Sequence, residues 1–535
     1  MQYDIIIIGT GAGGSTIAHK LAPSGKKILI LERGDFIPRE KENWDPVEVA
    51  AKGRYRTKEK WFDKNNEAFE PYTHYCVGGN TKMYGAALLR LRQNDFKEVK
   101  HFDGVSPAWP INYNDLEKYY SEAEQLYSVH GHHGYDPTEP YSSTSYPFPA
   151  LKMEDDMREL FTQFQSLGYH PFPCPIAVRI DENKKGASPV HLCNFDGFPD
   201  LTEAKADAHV VALQNALSHP NVTLMRNCLA EKLITDASGK RVVSVEVIHN
   251  SKKIILSADS IIVSCGAINS AALFLKSTND KHPYGLANSS DQVGRNYMAH
   301  NNGALIVVSQ KENRSQFQKA FGVADFYHGN DENKFPLGAI QLMGKTDYDT
   351  LNSLAKDVLP GMSAEEISTH SIDFWITAED LPRAENRVTL TDDGSIKLSV
   401  TQANREAYNR LKTKLKSIIS KIAEKDEEFK DAVYIGYDLG VSGVSHQNGT
   451  LRFGTDAQTS VLDVNCKTHD LENVYVVDAS FFPSCGAVNP SLTIMANALR
   501  VGEHILKQVS PYALNNTNQS VKQEKNSSRM YLNLF

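Results

Sequence analysis

Asp4-Ile5-Ile6-Ile7-Ile8-Gly9-Thr10-Gly11-Ala12-Gly13-Gly14-Ser15 stands almost at the start of the chain, and Lys27-Ile28-Leu29-Ile30-Leu31-Glu32-Arg33-Gly34 follows shortly after it. Ile5 to Ile8 is an apolar, β-branched run of the kind that fills a strand buried on both faces. It runs directly into a G-x-G-x-x-G turn. Ser15 to Leu21 then has helical character, and Lys27 to Leu31 reads as a second buried strand. This is one βαβ unit of the dinucleotide-binding kind. Gly9 makes the tight turn, Gly11 lets the backbone approach a pyrophosphate, and Gly14 lets helix and strand pack closely. The helix N-terminus offers unpaired N–H groups and partial positive charge to the phosphates. Glu32, at the end of the second strand, can accept both hydroxyls of an adenosine ribose. The motif by itself leaves the choice between a flavin and a nicotinamide dinucleotide open.

The chain has 535 residues, enough for more than one domain and a large core. Hydrophobic residues make up 41% and charged residues 23%, the balance of an ordinary globular protein. A formal net charge of −8 argues against a general nucleic-acid binder. The seven cysteines are Cys76, Cys174, Cys193, Cys228, Cys265, Cys466 and Cys485. They contain no C-x-x-C pair, which argues against a zinc site or a redox dithiol, and their odd, sparse distribution fits a reducing compartment. The first residues carry no charged n-region with apolar stretch and cleavage site, and no run approaches the roughly 18 apolar residues of a membrane span. The expectation is a soluble, cytoplasmic protein.

Further along, residues 130–150 are rich in Gly, His, Pro, Ser and Tyr and read as a long loop. Ala204 to Ser218 looks helical. Val222–Leu224, Arg241–Val247, Ile254–Leu256 and Ser260–Val263 look like strands, and Gly266–Leu275 like the helix after the last of them. Between Ala304 and Val400 short alternating segments recur: Ala304–Val308, Leu337–Leu342, Ser371–Ile376, Arg387–Leu390 and Lys397–Val400. Asp393-Gly394 between the last two is a hairpin signal. These predict one antiparallel sheet. A charged amphipathic helix is expected over Ala403–Lys425, a last buried strand over Val474–Val477 and a last helix over Leu492–Gln508. The tail after Pro511 is polar and is expected to be disordered.

Two further stretches carry chemistry. Val77-Gly78-Gly79-Asn80-Thr81-Lys82-Met83-Tyr84-Gly85-Ala86-Ala87 is a second glycine-rich loop, able to approach a flat ring or a pyrophosphate. The third constellation runs from Ser445-His446-Gln447-Asn448-Gly449-Thr450 through Val477-Asp478-Ala479 to Asn489-Pro490-Ser491-Leu492-Thr493. Asp478 follows a buried strand, where a carboxylate meets the polar end of a cofactor. Asn489 is placed to cap the last helix, with Pro490 at its first position. The N–H groups of that terminus can face an anion or a ring carbonyl.

Taken together and in this order, the glycine fingerprint ending in Leu31-Glu32-Arg33-Gly34, the Gly78–Ala87 loop, Val263-Ser264-Cys265-Gly266-Ala267 and the His446…Gly449-Thr450…Asp478…Asn489-Pro490 series resemble the glucose–methanol–choline (GMC) oxidoreductase family along essentially the whole chain. The resemblance implies an α/β fold: a Rossmann-like FAD-binding domain built from discontinuous segments (1–110, 200–300 and 446–510), with an α+β substrate domain (111–199 and 301–445) holding the antiparallel sheet. It implies FAD held by Gly9, Gly11, Gly14, Glu32, Gly78, Gly79, Asn80, Gly85, Ala86, Ala230, Asp478, Asn489, Pro490 and Ser491. Ala230 corresponds to a small residue beside the adenine. His446 matches the family's histidine facing the flavin, and Asn489 the second residue of that pair. The implied reaction oxidises a CH–OH group of an alcohol or sugar. His446 takes the hydroxyl proton, flavin N5 takes the hydride, and Asn489 hydrogen-bonds the substrate oxygen. The electron acceptor is then dioxygen or a quinone or carrier. The alternative within the family is a non-redox use of FAD, as in a hydroxynitrile lyase.

Some members tether the flavin through a histidine in the loop corresponding to Gly78–Gly85. Here Met83 stands at that place, so the FAD is expected to be non-covalent. The Val77–Tyr84 loop and His101–Pro110 resemble a bacterial subgroup that includes sugar- and aminosugar-alcohol oxidising enzymes. His130-Gly131-His132-His133 reads as a substrate-side loop rather than a metal site, and no metal is expected.

Overall fold

The computed structural model describes residues 2–180, 195–354, 361–429, 432–443 and 445–509. The tail after Pro511 lies outside the described residues.

The Gln2–Ile8 strand sits at the centre of a parallel core, with Ile28–Leu31 on one side and Lys252–Val263 on the other. Val222–Met225 extends the sheet beyond Ile28–Leu31, and Val474–Val476 pairs in parallel with Ile261–Val263. The helix Ala12–Leu21 connects the first two strands, buried through Ile17, Ala18 and Leu21, and Ser491–Val509 packs against it. Ile6, Ile7 and Leu29 are fully buried, as continuous apolar runs demand when both faces of a sheet are covered.

Register decides what this sheet does. Ile8 pairs with Leu31 and with Val263, and Val263 pairs with Val476. Four strands widely separated in sequence therefore end on one line. The residues that follow them are Gly9, Glu32, Ser264 and Val477-Asp478. The carboxyl edge of a parallel sheet is where such folds bind ligands, because the helix N-termini that follow the strands open there.

Several expectations shift in detail. Ile254–Leu256 and Ser260–Val263 are one strand, Lys252–Val263. Its first half pairs antiparallel with Val242–His249, and its second half serves the parallel sheet. Ala204–Ser218 is not a full helix. Residues His209–Leu213 form a π-turn that leads into the short α-helix Gln214–Leu217. The 130–150 loop contributes two short strands, Val129–Gly131 and Phe148–Pro149, which pair in parallel.

The predicted antiparallel sheet exists, with six strands in the order Val433–Asp438, Asn301–Val308, Ser371–Ala378, Ala339–Leu342, Phe321–Val323 and Pro171–Pro173. The Arg387–Leu390 and Ile396–Ser399 hairpin, turning at Asp393-Gly394, does not belong to it. That hairpin joins Trp61–Asp63 and Ala68–Phe69 in a separate four-stranded sheet. Period-two alternation gives the six-stranded sheet two unlike faces. Leu305, Val307, Phe374, Ile376, Ile340 and Leu342 face a core closed by the helix Arg405–Ala423, whose Leu411, Leu415, Ile418 and Ile422 recur at helical spacing. The register sets Asn302, Trp375, Gln341 and Tyr437 on the opposite face.

Candidate active site

The two sheets bound a cavity of about 710 Å³, within the roughly 300–1,000 Å³ typical of small-molecule and cofactor sites. At one end lie Gly9, Gly11, Glu32 and Ala230, and at the other His446, Asn489, Trp375 and Tyr437.

The glycine turn is built by close approach. Gly9 has φ 101°, and a Cβ on it would lie 2.2 Å from the Ser264 carbonyl oxygen. A Cβ on Gly13 would lie 2.1 Å from Val477 O, and one on Gly14 2.0 Å from Gly9 O. Gly11 differs: nothing lies within 4 Å of its Cβ position, and it faces the cavity. A Cβ on Gly79 would stand 3.3 Å from Gly11 Cα, so the two glycine loops meet although they are far apart in sequence.

Thr10, which sequence reasoning passed over, stitches three motifs together. Its N–H and hydroxyl donate to Glu32 Oε2 at 3.1 and 2.5 Å, and its Oγ1 accepts from Gly78 N at 3.0 Å. Gly34 N donates to the other Glu32 oxygen at 2.9 Å. Burial pushes the Glu32 carboxyl up, and the Thr10 and Gly34 bonds oppose that push. Asp478 has a similar organising part. Its carboxylate accepts from Gly266 N at 3.1 Å and from Ser480 N at 2.9 Å, tying two strand exits together.

Of the residues singled out from the sequence, Gly9, Gly11, Glu32, Gly79, Asn80, Gly85, Ala86, Ala230, His446, Asp478, Asn489, Pro490 and Ser491 line this one cavity. Gly14 and Gly78 do not. Gly14 packs helix against strand, and Gly78 sits behind the loop against His209 and Lys82. Met83 lines the cavity and is buried. His130, His132 and His133 lie elsewhere. His133 Nδ1 is 2.8 Å from Glu139, and no group of three metal-ligating side chains exists among the described residues.

The expected capping of the last helix is corrected. Ile494 N donates to Pro490 O, which makes Pro490 the N-cap rather than the first helical residue. The Asn489 side chain does not cap. Its Oδ1 accepts from Gln341 Nε2 at 2.9 Å, which leaves its NH₂ group for the cavity.

His446 is delivered by the short strand Gln447–Asn448, which pairs with Met298–Ala299 and so sets His446 beside His300. The two Nδ1 atoms are 2.9 Å apart. His446 opens on the cavity yet lies deep in the molecule. Burial, then His300 and the Lys319 cation, hold its pKa well below the usual imidazole value. Lys319 Nζ is 2.6 Å from Asp196, and both line the same wall as Trp375 and Tyr437. His300, Gln341 and Lys319 were not foreseen. None sits in a recognisable motif, and each meets its partner only through tertiary pairing.

The fold and site define an α/β protein of the dinucleotide-binding architecture, with a histidine and an amide at the far end of the cofactor crevice. GMC oxidoreductase family models match residues 3–302 and 382–498. The 6'''-hydroxyparomomycin C oxidase of Streptomyces lividus is 30% identical, covering 95% of this chain and 92% of its own. The paromamine 6'-oxidase of Streptomyces fradiae is 29% identical, covering 93% of this chain and 90% of its own. Among solved structures, pyridoxine 4-oxidase from Mesorbium loti superposes with a TM-score of 0.66 at 16% identity, over 94% of this chain and 99% of that one. The chain belongs to the GMC oxidoreductase family and is an oxidoreductase. GMC oxidoreductases are FAD-dependent, and the residues present fit that cofactor. Gly11 leaves open the space that a pyrophosphate needs, a carboxylate stands at the second strand end, and a helix N-terminus opens at the far end of the cavity. No helix among the described residues is long and apolar enough to cross a membrane.

Proposed function

We propose that the protein oxidises a CH–OH group of a sugar or aminosugar, with His446 as the base and Asn489 as a hydrogen-bond donor to the substrate oxygen. The single observation that carries this reading is the continuity of the cavity from Gly11 and Glu32 to His446 and Asn489. FAD would be held by Gly9, Gly11, Glu32, Gly79, Asn80, Ala230, Asp478 and Ser491, and when bound it supplies a hydride acceptor at flavin N5. The depressed proton affinity of His446 keeps its imidazole neutral near pH 7, ready to take a hydroxyl proton. The Asn489 NH₂ group, oriented by Gln341, steadies developing alkoxide charge.

The wall beside His446 supports a polyhydroxylated substrate. Trp375 and Tyr437 offer aromatic faces to a sugar ring, and the Lys319–Asp196 pair offers a donor and an acceptor to neighbouring hydroxyls. The relatives named as oxidases of hydroxyparomomycin C and of paromamine support the same class. The proposed domain division keeps 1–110, 200–300 and 446–510 on the cofactor side and 111–199 and 301–445 on the substrate side. A cytoplasmic setting is supported by six cysteines without a disulfide among the described residues.

The test is anaerobic flavin absorbance with a panel of sugars, aminosugars and aliphatic alcohols. Bleaching by sugars or aminosugars is expected, and no bleaching by any of them refutes the reading. Acid precipitation should release the flavin into the supernatant, since Met83 offers no tether; flavin retained in the pellet refutes non-covalent binding. Reoxidation followed with an oxygen electrode separates dioxygen from a quinone or carrier as acceptor.

A further inference from the structure

His446 does not stand alone, and its neighbours fix its protonation. His300 Nε2 lies 3.2 Å from the Cys485 carbonyl oxygen, which can only accept. Nε2 of His300 therefore carries the proton and its Nδ1 is bare. Across the 2.9 Å contact Nδ1 of His446 must donate, which leaves Nε2 of His446 bare. The Asn302 amide lies 3.3 Å from the same His446 Nδ1, and Asn302 Oδ1 is a buried oxygen lacking a donor. With that amide turned, its oxygen faces the Nδ1–H and can accept from it.

The Cys485–Gly486 peptide extends the chain of contacts. Its carbonyl receives His300, while its N–H donates to Glu379 Oε1 at 3.0 Å. The other Glu379 oxygen is 3.1 Å from His101 Nε2. Glu379 is buried between this peptide and a second cavity of about 510 Å³, which Asp95, His101, Tyr327 and Asn404 also line. A carboxylate at the N–H end of a peptide makes its carbonyl oxygen more negative. Both act in the same sense on the two imidazoles.

We propose that His300 and Glu379 are positioning residues for the proton transfer at His446. His300 fixes which nitrogen faces the cavity, and Glu379, through the Cys485–Gly486 peptide, steadies the imidazolium that forms. The inference rests on the reading of His446 as the base. In the step, the substrate O–H bond breaks and its electron pair stays on oxygen; an N–H bond forms at Nε2, and Nδ1–H is retained. Lys319, on the cavity side, opposes positive charge on His446; Glu379 favours positive charge on His300, its neighbour. Asp380 is held by Ala299, Leu381 and Ala403 N–H groups, and Asp95 by Tyr327 and the Arg92 N–H; both carboxyls are pushed up to about 7 by burial.

Two measurements test it. In the FAD-loaded protein labelled with 15N-histidine, with His446→Gln and His300→Gln used for assignment, His446 should show its proton on Nδ1 and His300 on Nε2. A proton on Nε2 of neutral His446 overturns the inference, whether or not any variant folds. Glu379→Gln keeps the side chain's shape while removing the charge. It should retain FAD, move the acid limb of anaerobic flavin reduction to lower pH, and lower the plateau about three- to tenfold. The sign follows because loss of a buried negative charge weakens the base, which then stays neutral to lower pH. A limb and plateau equal to the wild type overturn the role of Glu379. His446→Ala separates the layers. If it reduces flavin at the wild-type rate, the base reading fails. If it is inactive while Glu379→Gln matches the wild type, only the present inference fails.

Discussion

Gly13→Ala and Gly11→Ala, two residues apart in the same helix start, should fail in opposite ways. Gly13 lies inside the Ala12–Leu21 helix, where Ala is intrinsically better than Gly by about 1 kcal/mol. Propensity alone therefore predicts a more stable protein. The structure predicts otherwise, because a Cβ at Gly13 would lie 2.1 Å from the Val477 carbonyl oxygen. That oxygen is backbone and cannot rotate away. The helix and the Val474–Val476 strand exit would have to part by about 1 Å to restore van der Waals contact, and overpacking of this kind costs about 1–3 kcal/mol. With the neighbour this rigid, the upper end applies, and the net loss is about 1–2 kcal/mol. Thermal unfolding of the FAD-free protein should show Tm lowered by a few degrees. At Gly11 nothing lies within 4 Å of the added methyl, which projects into the cavity. Gly11→Ala should leave the Tm of the FAD-free protein nearly unchanged while weakening FAD binding about tenfold or more, as read by fluorescence titration. A Gly13→Ala protein as stable as the wild type would refute the packing argument. A Gly11→Ala protein that binds FAD normally would refute the placement of the cofactor along this turn.

Other substitutions and conditions probe the rest of the site. His446→Ala should keep its FAD and lose on the order of 100- to 10,000-fold in the rate of flavin reduction, measured by anaerobic stopped flow. In the wild type the acid limb of that rate should fall below the ordinary imidazole value of about 6.5, because burial, His300 and Lys319 depress the His446 pKa. The base is neutral above its pKa and activity is lost as pH falls through it, so a limb at or above the ordinary value contradicts the burial argument. Asn489→Ala should lower kcat about 10- to 1,000-fold with a smaller effect on KM; an unchanged kcat would refute its role at the substrate oxygen. Lys82→Met breaks the buried Lys82–Asp207 pair, 2.8 Å long, and should cost about 3–5 kcal/mol, seen as a large drop in Tm. Replacing both partners by apolar residues should recover only part of that loss, because Asp207 Oδ1 also accepts from the His209 and Val210 N–H groups.

The central sheet was legible because its information is local. Ile5–Ile8 and Ile28–Leu31 are continuous apolar runs, and the Gly9–Gly14 turn sits directly between the first of them and its helix. The helix over Arg405–Ala423 was legible from its period, and the Arg387–Ser399 hairpin from Asp393-Gly394. Misreadings fall where one segment serves two environments. Lys252–Val263 looked like two strands because its outer half faces solvent and its inner half the core. The hairpin was assigned to the larger sheet because strand pattern does not name a strand's partner.

What the sequence determined by itself was the architecture of the cofactor side and, through the ordered motifs, the residues that gather there. Strand register then carried Gly9, Glu32, Ser264 and Asp478 to one edge without further instruction. What only the tertiary structure decided was how the His446–Asn489 end of the cavity is wired. His300 meets His446 across 146 residues and Gln341 meets Asn489 across 148. Each contact depends on which face of a strand looks into the cavity and on a single hydrogen bond formed there. A periodic pattern reports burial, but hydrogen-bond partners are set by distance and direction in the folded protein, and these residues acquire both only when the six-stranded sheet closes over the cofactor crevice.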